Sequence, residues 1–452
     1  MIGPSRATEP PASVDAVSVG AGMSGLAAAD HLAARGRSVL VVEAGPAVGG
    51  LARAITVGGE PIEPYYHHVF PQDRATLALV DRMGMTPRME WRRASMGILH
   101  GGTVLAFDGV LDILRFSPLP PVDRVRLGLA TAAQLVRRDA SHLDRATVAA
   151  EGPRWFGRRA YDAIWRPLLE AKFGPDADRV AMAWLVARIR QRAGARRATG
   201  DRLGYLRGSL GTLATAYAES LGSRGVTIRV GTRVASIARD GADLEVRLDG
   251  DGSPDPIRAR SVVACVSGPV LARMTELPGP YARAISAIPY RGVSCVLVEL
   301  DRPLGARYWI SVTDRLGLGC LGIIEHTNLV PADRYGGRHL LYLAHYVGST
   351  DPAWTASPDE LIRAAGPALR AVNPGFTEDW VVGAHIARDA YAQPVPLVGG
   401  PMPHFPVATG VAGIFHASLA HVYPDDRGVS MALRVGARAA IAAEDHLAAG
   451  AP

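Results

Sequence analysis

Lysine is nearly absent from this chain. Lys172 is the only one, so almost all of the 49 Lys+Arg residues are arginine, and they leave a formal net charge of +6. With abundant alanine and 50 glycines in 452 residues, this bias reads as the coding preference of a GC-rich genome. It does not read as a nucleic-acid partner, because no DNA or RNA module and no aromatic-interleaved basic stripe accompanies it. Cysteine is scarce as well. Cys265, Cys295 and Cys320 are too widely spaced for a CxxC redox pair or a metal-ligand cluster. They fit a reducing cytoplasm and are expected to be buried core thiols. No apolar run reaches the roughly eighteen residues of a membrane-spanning helix. The opening residues, MIGPSRATEPPAS, lack the apolar core of a signal peptide, so residues 1–13 are expected to form a loose tail. What remains is an ordinary globular composition, 48% hydrophobic and 20% charged, long enough for two or three domains' worth of core.

Glycine is placed with purpose near the start. Residues 14–53 read VDAVSVGAGMSGLAAADHLAARGRSVLVVEAGPAVGGLAR. A buried strand is expected over Ala16 to Val19, a helix over Leu26 to Ala34, and a second strand over Ser38 to Val42. Between the first strand and the helix stand Gly20, Gly22 and Gly25 at GxGxxG spacing, and Glu43 closes the second strand. This is the order of a βαβ dinucleotide-binding unit. The first glycine permits the turn, the second lets a pyrophosphate approach the backbone, and the third lets helix and strand pack closely. The helix N-terminus presents free N–H groups to the phosphates. Glu43 is placed to accept hydrogen bonds from a ribose.

The glycine pair Gly49–Gly50, just past the acid, resembles that of glutathione-reductase-type flavoproteins. Further segments carry the resemblance along the chain: YYHHVFPQD (Tyr65 to Asp73), WRPLLEAKFG (Trp165 to Gly174), LGYLRGSLGTL (Leu203 to Leu213) and VYPDDRGVSMA (Val422 to Ala432). Together they resemble the superfamily of FAD-dependent amine oxidases, protoporphyrinogen oxidases and phytoene desaturases, in its bacterial protoporphyrinogen-oxidase-like branch. The resemblance implies an α/β fold with a Rossmann-like FAD domain that is discontinuous in sequence and a mixed α+β substrate domain. The FAD domain is expected over 14–100, 203–275 and 401–446, a helical part of the substrate domain over 101–202, and its β-rich part over 276–400. It also implies noncovalent FAD, held by Gly20, Gly22, Ser24, Gly25, Glu43, Ala44, Gly49, Gly50, Leu51 and Arg53. Val234 would meet the adenine with its backbone. Gly428, Val429 and Ser430 would place a helix N-terminus at the flavin pyrimidine ring, where its dipole stabilises reduced flavin.

The resemblance places Tyr65, Tyr66, His67 and His68 near the flavin ring. Tyr66, His67 and His68 are the candidate catalytic groups, the histidines as bases of near-neutral pKa. The run from Arg188 to Arg207 holds seven arginines, mostly expected on a solvated face. Its sharper reading is an anionic-substrate site with Arg188, Arg192 and Tyr205 as contacts. Lys172 lies outside the segment that usually carries the lysine of amine oxidases, so a structural role is expected. With no second GxGxxG unit and no dithiol, electrons are expected to leave through oxygen or another external acceptor. The function read here is oxidation or desaturation of a small molecule by hydride transfer to flavin N5. The alternative is a nucleotide-sugar mutase of the UDP-galactopyranose type, without net redox change. The segment Phe116 to Val136 is apolar enough to suggest membrane contact, but its arginines favour a buried helix.

Overall fold

The computed structural model describes residues 11–137, 141–197, 200–249, 256–314 and 320–450, with side chains at 110, 141, 193–197 and 200–201 excluded. The expected tail, save residues 11–13, and the side chains of Arg196 and Arg197 therefore lie outside the described residues.

The βαβ unit forms where the sequence puts it. Strand Ser13–Val19 runs into helix Met23–Ala33 and returns as strand Val39–Val42. Val39–Val42 is buried throughout, as expected of a parallel strand covered on both faces. Among the described residues the first sheet has seven strands. Thr227–Arg229, Val39–Val42, Ser13–Val19 and Ile257–Ala264 lie side by side in parallel. One end of Ile257–Ala264 pairs antiparallel with Asp243–Asp249, and the other pairs parallel with Ile414–His416. Helices Met23–Ala33, Ser209–Gly222 and Val429–Ala449 cover one face of this sheet with a shared apolar core. Val234, Ile237, Leu244 and Val246 of the antiparallel strands close the other face. The fold is thus α/β, with its first sheet assembled from three separate stretches of chain.

The second sheet is mixed. Its order is Val381–Pro394, Tyr290–Leu300, His339–Val347, Cys320–Glu325, Trp309–Val312, Met96–His100 and Thr103–Ala106. Here one expected boundary moves. Met96–His100 pairs with Trp309–Val312, so it belongs to the substrate-side sheet and not to a cofactor domain ending at residue 100. The residues after it are expected to be helical, but Thr103–Ala106 is a strand of the same sheet. Helices from Val110–Arg115 to Met182–Ala195 pack beside this sheet around their own apolar core. The expectation of a buried helix is corrected in Pro121–Val136: Leu127 and Gln134 face inward, but Val122, Val125, Leu129 and Val136 are exposed.

Buried titratable groups set the pH response of this fold. Burial holds His67 and His416 at about 4, His326 and His421 at about 3, and His68 well below the ordinary value. Burial raises Glu63 and Glu325 to about 7. Between the unfolded carboxyl value of 4.5 and the unfolded imidazole value of 6.5, the unfolded chain binds extra protons at five histidines. The folded chain binds extra protons at only two glutamates. Stability gained from the histidines is present above pH 6.5 and lost on acidification; the glutamates oppose this. The lowered histidines outnumber the raised glutamates, so in this window the unfolded chain binds more protons and stability falls as the pH drops. The thermal midpoint should therefore fall as pH drops from 6.5 towards 4.5 at fixed ionic strength. A midpoint that holds steady or rises on acidification contradicts this assignment.

Candidate active site

A single continuous cavity of about 1810 Å³ runs from the glycine loop to the helical region. At one end it is a dinucleotide cleft. A Cβ on Gly25 would sit inside the carbonyl oxygen of Gly20, so only glycine lets the turn and helix close together there. Gly22 differs. A Cβ on it would meet nothing nearer than the Cα of Gly50, at 3.8 Å, so the space in front of it is open for a ligand. Gly49 N–H donates to Ala21 O at 2.8 Å, and Gly22 bridges to Gly49. This lays the glycine pair against the first loop. The first helical hydrogen bond, Leu26 N to Gly22 O, leaves the preceding N–H groups of the turn for an anion.

The Glu43 carboxylate anchors the cleft wall. Its Oε2 accepts from Ala21 N and its Oε1 from Gly45 N, both at 2.7 Å. Each oxygen keeps a second lone pair, so a ribose hydroxyl can still be accepted. Ser24, Ala44, Leu51 and Arg53 also line the cavity, as do Val234, Gly428 and Val429. Arg53 donates to Gly50 O at 3.2 Å and packs over the Tyr65 ring. The set fits a dinucleotide such as FAD: an open glycine cradle, a helix N-terminus and an acid at the second strand. Gly25 and Ser430 are off this wall. Ser430 is buried, and its Oγ meets Thr76 N and Oγ1 at 3.0 and 2.8 Å, so it locks two helices together.

Beyond the cleft the cavity turns apolar, with Ile98, Ile164, Leu168, Trp184, Ile189 and Trp309 on its wall. Tyr66, His67 and His68 also line the cavity. His67 Nδ1 lies 2.8 Å from Tyr65 O. That bond requires the proton on Nδ1 and leaves Nε2 as an acceptor. His68 Nδ1 lies 3.2 Å from Tyr308 Oη. The expectation of near-neutral bases is corrected here: burial drives both imidazoles down, His67 to about 4. Both are neutral acceptors at physiological pH and weak bases.

The structure adds a polar network that the sequence did not flag. Lys172 Nζ lies 3.2 and 3.0 Å from the two Asp426 carboxylate oxygens, and Arg188 lies 3.3 Å from Oδ2. Arg427 donates to Tyr346 Oη, which lies 3.0 Å from Tyr66 Oη. Burial alone would raise the Asp426 carboxyl, but Lys172, Arg188 and Arg427 hold it far below the carboxylate range. Burial, with Arg188 and Arg427 nearby, lowers Lys172 to about 8 against the pull of Asp426. At neutral pH the network is charged and internally paired. Lys172 thus pairs with Asp426 on the cavity wall.

Two arginines of the run, Arg190 and Arg202, are engaged away from the cavity. Arg190 donates to Gln134 O and Arg137 O, and Arg202 packs over Trp91. Arg188 and Arg192 do reach the cavity. Tyr205 does not. It is buried, and its hydroxyl donates to Glu63 Oε2 at 2.6 Å, beside the Leu210 N–H that also binds Glu63. It is a core residue at a helix N-terminus, not a substrate contact. Cys295 and Cys320 are buried as expected, whereas Cys265 is only half-buried and touches the cavity. Among the described residues, no group of three or more His, Cys, Asp or Glu could hold a metal ion.

The chain was compared with known proteins for family and fold. The family model described as flavin-containing amine oxidoreductase matches residues 23–442. A Mycobacterium tuberculosis protein assigned as a flavin-containing monoamine oxidase is 30% identical over 263 residues, 54% of this chain and 55% of that protein. The match thus spans about half the length of that relative. Putrescine oxidase of Kocuria rosea is 38% identical over 96 residues, 21% of this chain and 20% of the oxidase. Among solved structures, one from Exiguobacterium sp. 255-15, assigned as a protoporphyrinogen oxidase, superposes with a TM-score of 0.73 at 19% identity, covering 95% of this chain and 98% of that one. Reduced UDP-galactopyranose mutase superposes at 0.71 with 16% identity, covering 97% and 96%. Likeness at this identity concerns the fold.

Proposed function

The chain belongs to the family of flavin-containing amine oxidoreductases, and on that premise we propose that it oxidises or desaturates a small organic molecule with FAD as electron acceptor. The observation that carries this reading is the continuity of one cavity from the open Gly22 cradle to an apolar chamber walled by Trp184 and Trp309. Gly22 and the N-terminus of Met23–Ala33 would hold the pyrophosphate, and Glu43 the ribose. Gly428 and Val429 would bring the positive end of Val429–Ala449 to the pyrimidine edge. FAD, when bound, supplies the two-electron acceptor, reoxidised by oxygen or another acceptor. His67 Nε2 and the Tyr66 hydroxyl offer hydrogen bonds that orient a substrate polar group.

The mutase alternative needs cations free to meet a pyrophosphate. Arg188 is engaged with Asp426 and with Gln191 Oε1, at 2.8 Å; it is the family match that favours the oxidoreductase. Arg192, also on the cavity wall, packs over Trp309 at 5.4 Å.

The test is anaerobic rapid mixing with candidate amines and apolar alkenes. A substrate should bleach the flavin, and oxygen should restore it. His67→Ala should keep FAD and slow the reductive step about tenfold to a hundredfold. Flavin reduction at the wild-type rate in His67→Ala and in His68→Ala would leave both residues structural. Turnover only after chemical reduction, with an isomeric product, would support the mutase.

A further inference from the structure

The polar network on the cavity wall ends in a hydrogen that the protein does not use. Tyr66 and Tyr346 both line the cavity, and their hydroxyl oxygens lie 3.0 Å apart. Each phenol carries one proton, and a guanidinium donates without accepting. Arg427 Nη2 donates to Tyr346 Oη. Three hydrogens therefore converge on two oxygens. The guanidinium N–H goes to Tyr346, and one O–H closes the tyrosine pair. The other O–H meets no acceptor among the described residues.

Burial decides which hydroxyl that is. Tyr346 is 5% exposed, with the charged ends of Arg427 and Lys172 at 5.3 and 5.8 Å from its ring centre. Tyr66 is half-buried on the cavity wall. Tyr346 thus passes its proton to Tyr66, and Tyr66 turns its own towards the cavity. Burial, with Tyr346 alongside, holds the Tyr66 hydroxyl well above its ordinary value, so it stays protonated. The pose is fixed from both ends. The Tyr66 ring stands edge-on to Trp309 and Tyr342, at 5.0 and 6.3 Å. Arg427 Nη1 donates to Ala392 O at 2.8 Å, and its backbone N–H donates to Asp426 Oδ1 at 3.1 Å.

The charge behind this hydroxyl is positive. Lys172, Arg188 and Arg427 surround one carboxylate, Asp426. A hydroxyl donor in front of three cations and one anion attracts an oxygen lone pair and repels an ammonium.

We propose that Tyr66, oriented by Tyr346 and Arg427, binds the polar end of the substrate, and that this end is an oxygen acceptor, a carbonyl or carboxylate group on an apolar body. The body would fill the chamber beside Trp184 and Trp309. Tyr66 touches the ligand; Arg427 is a positioning residue that acts through Tyr346. Calling this ligand the substrate rests on the oxidoreductase reading above; the oxygen site does not.

The test is calorimetric titration of the oxidised, flavin-loaded protein at pH 7 with 2-octanone, octanoate and octylammonium. At least one oxygen ligand should bind tenfold or more tightly than octylammonium. Octanoate as the tighter of the two assigns an anionic ligand, and 2-octanone a neutral carbonyl. Tyr66→Phe should weaken the tighter oxygen ligand about tenfold and leave octylammonium unchanged. Arg427→Gln should lower the ratio of octanoate to octylammonium affinity about tenfold at unchanged flavin content, which a merely structural role would not do. Wild type that binds octylammonium as tightly as the oxygen ligands, or that binds neither oxygen ligand, overturns the proposal. So does flavin-loaded Tyr66→Phe with wild-type selectivity. Should Tyr66→Phe lose its flavin, the wild-type ratio decides alone. Failure of every candidate to reduce the flavin would strike the redox reading and leave these affinities standing.

Discussion

Gly22→Val should give a folded protein that holds no FAD. The backbone at Gly22 is extended (φ −67°, ψ 174°), a conformation valine adopts readily. The nearest atom to its Cβ is the Gly50 Cα, at 3.8 Å, so the Cβ should meet no protein obstacle. It would instead stand in the space where a pyrophosphate meets the helix N-terminus. Far-UV circular dichroism should match wild type while the flavin spectrum is lost. Gly25→Val is the contrast. Its side chain would collide with the Gly20 carbonyl, so this variant should fail to fold. Yellow Gly22→Val protein with one FAD per chain would misplace the cradle.

Asp426→Asn should cost about 3–5 kcal/mol of stability, because it leaves buried cations without their counter-charge. Asp426 is the common partner of Lys172 and Arg188, and it lies one residue before Arg427. Its loss places several positive groups around one neutral amide. Lys172→Met should cost less, since Arg188 and Arg427 still neutralise the carboxylate. Urea unfolding of both variants gives the comparison. Equal stabilities, or a more stable Asp426→Asn, would show that the network is not internally paired.

The dinucleotide cleft was legible because its signals are local. The turn glycines, the flanking strands and Glu43 lie within 31 residues of one another, and their spacing alone dictates the geometry. Gly49–Gly50 was legible only through its resemblance to the glycine pair of glutathione-reductase-type flavoproteins. The Lys172–Asp426 pair was not. Its members are 254 residues apart, and neither carries a local mark of the other. Tyr205 misled because an aromatic residue in a strand looks the same whether its ring faces a cavity or Glu63. The histidines at 67 and 68 were found, but their protonation was misjudged, since burial is a property of the packed fold. Helix Pro121–Val136 shows the limit most plainly. Periodicity reveals an apolar face but does not say whether that face turns towards core or solvent. Met96–His100 changed sheets because its pairing partner, Trp309–Val312, is distant in sequence.

The central claim is that the cleft behind Gly22 holds FAD and opens onto the apolar chamber. The most direct measurement is the flavin content of the purified protein. Heat denaturation followed by chromatography of the released chromophore should yield FAD, one per chain, from a yellow protein. A colourless protein that takes up no FAD, or that takes up a nicotinamide dinucleotide stoichiometrically in its place, would contradict the account.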